Sequence, residues 1–216
     1  MTELSPTSPS TTACAVGVFA RAPVPGQTKT RLIPALGAGG AAELATHMLR
    51  HALRVAIQAQ LGPVTLWAAG DAQHPLLLEL AEQAGVPIRP QVDGDLGERM
   101  HQALLAMQSA SIPYAMVIGS DVPALQPRHL QSAAQALAAN DVAVLPADDG
   151  GYVLMACKKT PLAPFQDVAW GSEHVLQQTR ERCRTAALCL WEGEVLWDVD
   201  RPEDWQRLTK EIPGWS

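Results

Sequence analysis

The sequence is poor in aromatic residues other than tryptophan, has no excess of positive charge and contains no long apolar run. Its 216 residues include two Phe and two Tyr beside six Trp, and the formal net charge is −6. This charge argues against a general nucleic-acid binder, because a phosphate backbone requires a basic face. No stretch approaches the roughly 18 apolar residues of a transmembrane helix. We therefore predict a protein with no nucleic-acid partner and no membrane span.

Paired cysteines are also absent, since Cys14, Cys157, Cys183 and Cys189 form no C-x-x-C motif. This spacing excludes a zinc ribbon and a dithiol redox motif. We interpret the cysteines as small buried hydrophobic residues and predict a cytoplasmic protein. Residues 1–13 are rich in Ser and Thr and lack an apolar signal core, so we expect a disordered tail followed by one domain over residues 14–216.

Strands and helices alternate along the rest of the chain. Short apolar runs, such as CAVGVFA at 14–20, YAMVI at 114–118 and the run at 187–191, predict strands. Stretches at 38–60, 75–84, 98–109 and 127–139 predict helices. This order favours the α/β class, with a largely parallel sheet covered on both faces. Ligands of such sheets bind beyond the carboxyl ends of the strands. The segments that follow strands are therefore the candidates for function.

The first candidate is the loop at 21–31, which holds three cations and no acidic residue. Gly26 would let the backbone approach an anion, and Lys29 and Arg31 would supply positive charge. The loop predicts a phosphate-binding turn. A solvated basic loop is the alternative interpretation.

The second candidate is Asp121, which follows the apolar strand at 114–118. One carboxylate at this place could hold Mg²⁺ or Mn²⁺ against a diphosphate. The alternative is that Asp121 caps a helix or forms a turn.

The third candidate is the turn at 146–152, which contains adjacent acids and two glycines. It could bind an acceptor or supply a general base that deprotonates an attacking hydroxyl. A hairpin turn is the alternative, since Asp-Gly favours hairpins.

The fourth candidate is Asp200, within the acidic stretch WDVDRPED at 197–204. Asp200 could complete a metal site with Asp121, or it could lie over the dipole of the helix that Pro202 opens. A weaker candidate is the glycine-rich turn at 94–100, which carries Asp95 and Arg99.

Taken together, these motifs resemble one family. Six motifs occur along the chain in this order: FARAPVPGQTKTRL, GDLGERM, VIGSDVPAL, PADDGGYVLM, WGS at 170–172 and DVDRPED. The same order is seen in a bacterial family of GT-A-like proteins usually described as glycosyltransferases, some associated with arsenosugar biosynthesis. The resemblance runs from about Val16 to Leu208. It implies a three-layer α/β/α nucleotide-diphospho-sugar transferase fold, GT-A and Rossmann-like, with a mostly parallel mixed sheet. Nucleotidyltransferases share that fold.

The resemblance also implies roles for individual residues. The nucleotide and its phosphates would be held by ten residues: Ala20, Arg21, Pro25, Gly26, Lys29, Arg31, Asp95, Arg99, Gly119 and Ser120. Asp121 and Asp200 would bind a divalent metal, Mg²⁺ or Mn²⁺, although Ser120 stands where a D-x-D motif has its first acid. The acceptor would contact Asp148, Gly150, Gly151 and Tyr152. Asp149 as a base and Lys29 as a cation would act in catalysis.

Three functions are compatible with these residues. The first is a glycosyltransferase that moves a sugar from a nucleotide diphosphate sugar to a small hydroxyl acceptor with metal assistance. The second is a nucleotidyltransferase that joins a nucleotide from a nucleoside triphosphate to a phosphorylated or acidic small molecule. The third is a nucleotide sensor without catalysis. The oligomeric state stays open.

Overall fold

Seven strands form one sheet in the computed structural model, which describes residues 13–212 and 214–215. The strands are β1 (Cys14–Arg21), β2 (Val64–Ala69), β3 (Ile88–Pro90), β4 (Tyr114–Ile118), β5 (Val142–Pro146), β6 (Tyr152–Lys158) and β7 (Leu190–Glu192). Their order across the sheet is β3-β2-β1-β4-β6-β5-β7. The helices are α1 (Ile33–Gln58), α2 (Pro75–Ala84), α3 (Leu96–Met107), α4 (Pro127–Ala136), α5 (Val175–Thr185) and α6 (Pro202–Glu211).

The sheet is mixed but mostly parallel, as predicted. Strand β1 pairs in parallel with β2 and β4, and β5 pairs in parallel with β7. Strand β6 runs antiparallel to both β4 and β5. The reason is the connection between β5 and β6, which is one short turn and cannot hold the crossover that a parallel pair needs.

Helices cover both faces of the sheet and give the three-layer arrangement that was predicted. Successive residues of a strand point to opposite faces, so Met116 and Ile118 of β4 join one apolar layer while Ala115 and Val117 join the other. The first layer contains residues of α1, α2 and α4, and the second contains residues of α3 and α5. All five residues of β4 are buried, and none of them carries a charge.

Several boundaries differ from the sequence-based expectation for local reasons. Helix α1 begins before residue 38, but it is interrupted at Gly37, whose φ of 71° is not helical. Helix α3 begins at Leu96 because Asp95 and Glu98 form a reciprocal capping box, which fixes the start of the helix. The predicted tail at 1–13 lies outside the described residues, apart from residue 13. No helix in the described part of the chain is long and apolar enough to cross a bilayer.

The topology gathers the candidate segments at one edge of the sheet. Strands β1 and β4 are parallel neighbours, so the loops that follow them leave from the same edge. Strand β6 is antiparallel to β4 and pairs Leu154 with Ile118, so the turn before β6 lies at this edge as well. Asp121 also accepts a backbone hydrogen bond from Val199 (3.0 Å), which brings the last acidic stretch to the same place.

Candidate active site

The basic loop after β1 is shaped by its own polar residues. The Thr28 hydroxyl donates to the carbonyl of Ala22 (3.1 Å) and accepts from the amide of Val24 (3.2 Å). Gly26 has a φ of 80°, which a glycine adopts readily. Lys29 has a φ of 46° and a ψ of 46°, the left-handed region, at a cost of about 1–2 kcal/mol for a side-chain-bearing residue. Such backbone strain is found most often at functional sites.

Lys29 lies at the centre of the carboxylate cluster. Its Nζ donates to Oδ2 of Asp121 at 2.9 Å and lies 3.7 Å from Oδ1 of Asp200. Only 12% of the Lys29 side chain is exposed. Burial on its own would lower the pKa of this ammonium. The charge and hydrogen bond of Asp121, together with the charge of Asp200, outweigh burial and raise the pKa, so Lys29 stays cationic.

Asp200 is held by two cations, because Arg31 also pairs with its carboxylate. The backbone amides of Asp200 and Arg201 donate to Asp204 (3.0 and 2.7 Å), which caps helix α6. Asp204 therefore accepts the amide bonds at the start of helix α6, and the Asp200 side chain is free to face Lys29 and Arg31. Asp121 and Asp200 both lie beside Lys29, which stands between them, and their role as metal ligands stays a prediction.

Asp198 is one of two site residues that the sequence analysis missed, and Trp170 is the other. Burial raises its pKa to about 6, and the nearby charges of Asp121 and Asp149 act in the same direction, while Lys29 opposes them. Val199 between Asp198 and Asp200 is fully buried. The signal in the sequence was therefore the alternation Asp-Val-Asp. In an extended segment, a valine that points into the core leaves the acids on either side pointing the other way.

Two cavities meet at Asp121. The first, of about 400 Å³, contains the cations Arg21, Lys29 and Arg99 in its wall, and we call it the basic cavity. The second, of about 220 Å³, contains the carboxylates of Asp121, Asp149 and Asp198, and we call it the acidic cavity. Gly119, Asp121 and Leu96 line both cavities. This arrangement places a cavity with cations in its wall directly beside a cavity with carboxylates in its wall.

Most of the residues predicted to bind nucleotide line the basic cavity. They are Ala20, Arg21, Lys29, Arg99, Gly119 and Ser120, and Asp121 and Asp200 lie beside them. Pro25, Gly26, Arg31 and Asp95 are outside its lining. Asp95 serves as the cap of α3, where its carboxylate accepts from the amide of Glu98 (2.8 Å). Arg99, one turn later, donates toward Gln91 (3.4 Å) at the wall of the cavity.

The turn between β5 and β6 is both a hairpin connection and a wall of the acidic cavity. Oδ1 of Asp149 accepts from the amide of Gly151 (2.9 Å), which leaves Oδ2 free of that bond. Gly150 has a φ of 90°, and its carbonyl accepts from the amide of Leu176 in α5 (2.9 Å). Asp149, Gly151 and Tyr152 line the cavity, whereas Gly150 does not.

Asp148 points away from the acidic cavity. Its Oδ2 accepts from Arg207 of α6 at 2.9 Å. The same guanidinium lies 4.3 Å from the centre of the Trp197 ring, a cation–π contact. Arg207 thus joins the turn that carries Asp149 to the segment that carries Asp198.

Trp170 forms an aromatic wall that was not among the predicted site residues. It lines the acidic cavity and meets Tyr152 edge-on, with ring centroids 6.3 Å apart. A Cβ at Gly97 would lie 2.6 Å from the indole, so only glycine gives Trp170 this position. The sequence signal was the WGS motif at 170–172, but the position of this motif in the chain did not show that Trp170 lines a cavity.

The carboxylates suit a divalent metal that is shared with a phosphate ligand. Among the described residues, no group of three or more His, Cys, Asp or Glu side chains is arranged to hold a metal. Mg²⁺ commonly takes one or two protein carboxylates and completes its shell with phosphate oxygens and water. Asp121 lies close enough to Asp198 for its charge to help raise the pKa of the Asp198 carboxyl, and Asp121 also borders the basic cavity. The donor set therefore fits a divalent metal for which a diphosphate would supply further oxygen ligands.

A family model described as "Uncharacterized protein conserved in bacteria (DUF2064)" matches residues 52–172, more than half of the chain. The matched residues include Asp121, Asp149 and Trp170. The chain belongs to the DUF2064 family. No curated protein sequence matches this DUF2064 chain.

Solved structures resemble the DUF2064 chain over nearly its whole length. A Desulfovibrio desulfuricans G20 protein, provisionally named a nucleotide-diphospho-sugar transferase, is 28% identical with a TM-score of 0.84, over 93% of this chain and 88% of its own. A cytidylyltransferase from Leptospira borgpetersenii serovar Hardjo-bovis (strain JB197) is 14% identical with a TM-score of 0.63, over 94% and 88%. Glucosyl-3-phosphoglycerate synthase from Mycobacterium tuberculosis, in complex with Mn²⁺ and UDP, is 10% identical with a TM-score of 0.57, over 92% and 76%. These similarities confirm the predicted GT-A-like relationship and the nucleotide-diphospho-sugar transferase fold.

Proposed function

We propose that this protein is a glycosyltransferase that moves a sugar from a nucleotide diphosphate sugar to a small hydroxyl acceptor. The observation that carries the proposal is the pair of cavities that meet at Asp121. The basic cavity has three cations beside two carboxylates in its wall, and the acidic cavity has three carboxylates and no cation in its described lining. A diphosphate fits beside Lys29, Arg21 and Arg99, because guanidinium and ammonium groups bind phosphate oxygens. The sugar would then extend past Asp121 toward the acidic cavity.

In the reaction, the acceptor oxygen forms a bond to the anomeric carbon as the bond from that carbon to the diphosphate oxygen breaks. Lys29 neutralises the negative charge that grows on the leaving nucleoside diphosphate. Its fixed ion pair with Asp121 orients the ammonium before the donor arrives. Asp149 accepts the proton of the acceptor hydroxyl, and the bond from Gly151 to Oδ1 holds its carboxylate so that Oδ2 can take that proton.

A divalent metal, Mg²⁺ or Mn²⁺, would be held by Asp121 together with Asp200 or Asp198. When bound, it would supply further positive charge against the diphosphate. The similar Mycobacterium tuberculosis synthase was solved with Mn²⁺ and UDP, which supports this part of the proposal. The protein's own contribution is the orientation of the carboxylates, which Lys29 and the Val199 backbone bond fix in place.

A thermal-shift screen tests the proposal. The panel contains nucleoside diphosphates, nucleotide sugars and nucleoside triphosphates, each with and without Mg²⁺ or Mn²⁺. A ligand at 100 times its Kd stabilises the folded state by about 2.7 kcal/mol, which is about 5–10 °C for a chain of this size. We expect one nucleotide sugar to stabilise the protein more than its parent diphosphate, and the metal to increase the shift.

The same screen separates the alternative functions. The similarity to a cytidylyltransferase supports the nucleotidyltransferase alternative. A triphosphate that stabilises with Mg²⁺, while nucleotide sugars have no effect, would establish that alternative. Binding of a nucleotide without turnover of any donor would indicate a sensor. If no nucleotide shifts the melting temperature, the proposed function is wrong.

A further inference from the structure

The acidic cavity contains no basic side chain in its described lining. Its wall includes the carboxylates of Asp121, Asp149 and Asp198 but no Lys, Arg or His. Two cations close to these segments are already bonded to carboxylates, since Lys29 pairs with Asp121 and Arg207 pairs with Asp148. Among the described residues neither Asp149 nor Asp198 forms a salt bridge, so a molecule that enters the acidic cavity meets two carboxylates that have no directly paired cation.

The two cavities differ in the charge of their walls although they adjoin. Arg21, Lys29 and Arg99 all line the basic cavity, and none of them lines the acidic one. The two cavities share Asp121, so an anion that avoids the carboxylates has a place beside the cations within the same cleft. Like charges placed opposite each other in a binding site reduce affinity strongly and act as a filter against wrong partners.

Most of the other side chains in the acidic cavity are apolar or aromatic. Trp170 and Tyr152 meet edge-on, and Met100, Val153 and Val175 are among the apolar residues of the wall. The exception is Ser172, whose hydroxyl is already hydrogen-bonded to the backbone of Ala169 and His174. Gly97 holds Trp170 in this position by leaving room for the indole. An aromatic face beside carboxylates suits a molecule that presents C–H groups on one side and hydroxyl groups or a positive charge on the other.

We propose that the acceptor is a small hydroxyl compound with an apolar face and no anionic group, either uncharged or cationic. This inference rests on the proposed function, and it names the acceptor class for the same site. It excludes the phosphorylated and carboxylated acceptors that the nucleotidyltransferase alternative requires.

A matched set of acceptors tests the inference. The set is glycerol ethyl ether, its dimethylamino analogue, glycerate and glycerol phosphate, which share a diol and differ in charge. The readout is acceptor-dependent release of nucleoside diphosphate from the donor that the thermal-shift screen identifies. We expect kcat/KM for the uncharged and cationic members to exceed that for the two anions by at least about tenfold.

A substitution at Leu96 shows whether charge in the wall sets the preference. Leu96, the first residue of α3, lines the acidic cavity, also borders the basic cavity and is partly exposed. Leu96→Lys adds a cation there, and Leu96→Gln adds polarity without charge. Leu105→Lys makes the same change at an exposed leucine of the same helix, outside every cavity wall described above. The preference is the ratio of kcat/KM for the non-anionic acceptors to kcat/KM for the anionic ones, measured at one donor concentration. This ratio should fall at least about fivefold in Leu96→Lys and stay unchanged in the other two variants.

Several results would overturn the inference. One is that the wild type uses glycerate or glycerol phosphate with a kcat/KM equal to or above that for the non-anionic acceptors. Another is that neither non-anionic acceptor stimulates release of nucleoside diphosphate. The third is that Leu96→Lys leaves the acceptor preference unchanged. Each of these leaves donor binding in the thermal-shift screen intact. Failure of the proposed function would instead appear as the absence of any nucleotide-sugar binding, so the two failures are distinguishable.

Discussion

Replacing Asp198 by Asn should stabilise the protein at neutral pH. The Asp198 carboxyl is largely buried beside Asp121 and Asp149, and its pKa is raised from 3.8 to about 6. A raised pKa for an acid means that the folded state holds the proton more tightly than the unfolded chain does. Between these two pKa values the folded state therefore loses stability as the pH rises, and above pH 6 the whole penalty is present.

The size of the effect follows from the shift. At about 1.4 kcal/mol for each pH unit, a shift of this size corresponds to about 3 kcal/mol. Asp198 is partly exposed and Lys29 lies nearby, so solvent and the counter-charge reduce the penalty to about 1–2 kcal/mol. Asn removes the charge and keeps the shape. The expected gain in melting temperature at pH 8 is about 2–8 °C, and the gain should disappear near pH 4.

Urea unfolding of the wild type and Asp198→Asn at several pH values between 4 and 8 measures this difference. Asp200→Asn is the matched control, because it makes the same change two residues away. Asp200 is paired with Lys29 and Arg31, so its replacement should destabilise the protein at neutral pH. Destabilisation by Asp198→Asn at pH 8, or a gain that does not depend on pH, would refute the electrostatic reasoning.

Three further predictions concern ligand binding and the walls of the cleft. Lys29→Met should weaken nucleoside diphosphate binding about 10- to 100-fold in calorimetry, since a charge-assisted bond contributes about 1.5–3 kcal/mol; Lys210→Met on α6 should bind as the wild type does. Gly97→Ala should displace Trp170, cost about 1–3 kcal/mol of stability and shift tryptophan emission to the red; unchanged emission would contradict the contact. Arg207→Gln should cost less than about 1 kcal/mol yet raise the acceptor KM with donor affinity unchanged, and an effect on the donor alone would contradict this role.

Much of the fold could be predicted from the sequence, because strands and helices are indicated by residues that are close together in the chain. Strand β4 is a fully apolar run between a Pro and a Gly, and helix α2 begins at Pro75 and ends before Gly85, so both match the predicted bounds. Strand β7 was predicted at 187–191 and lies at Leu190–Glu192. It is a short edge strand with partly exposed residues, and its apolar pattern is correspondingly weak.

The candidate site was less accessible, because it depends on contacts between distant segments. Lys29 and Asp121 were singled out as a cation and an acid, but their ion pair joins residues 92 positions apart. Asp198 and Asp200 have the same residue type and neighbouring positions, so composition cannot tell which is buried among carboxylates and which is paired with cations. The packing of Trp170 on Gly97 likewise needs the fold, since neither residue type implies the other.

Analysis of the transferred group by mass spectrometry tests the central claim most directly. The protein is incubated with the donor found in the screen, with glycerol ethyl ether and with Mg²⁺ or Mn²⁺, and the mass of the new product is measured. The two-cavity arrangement predicts a product that carries the sugar, with the nucleoside diphosphate released in equal amount. A product that carries the nucleotide, with pyrophosphate released, would contradict the account.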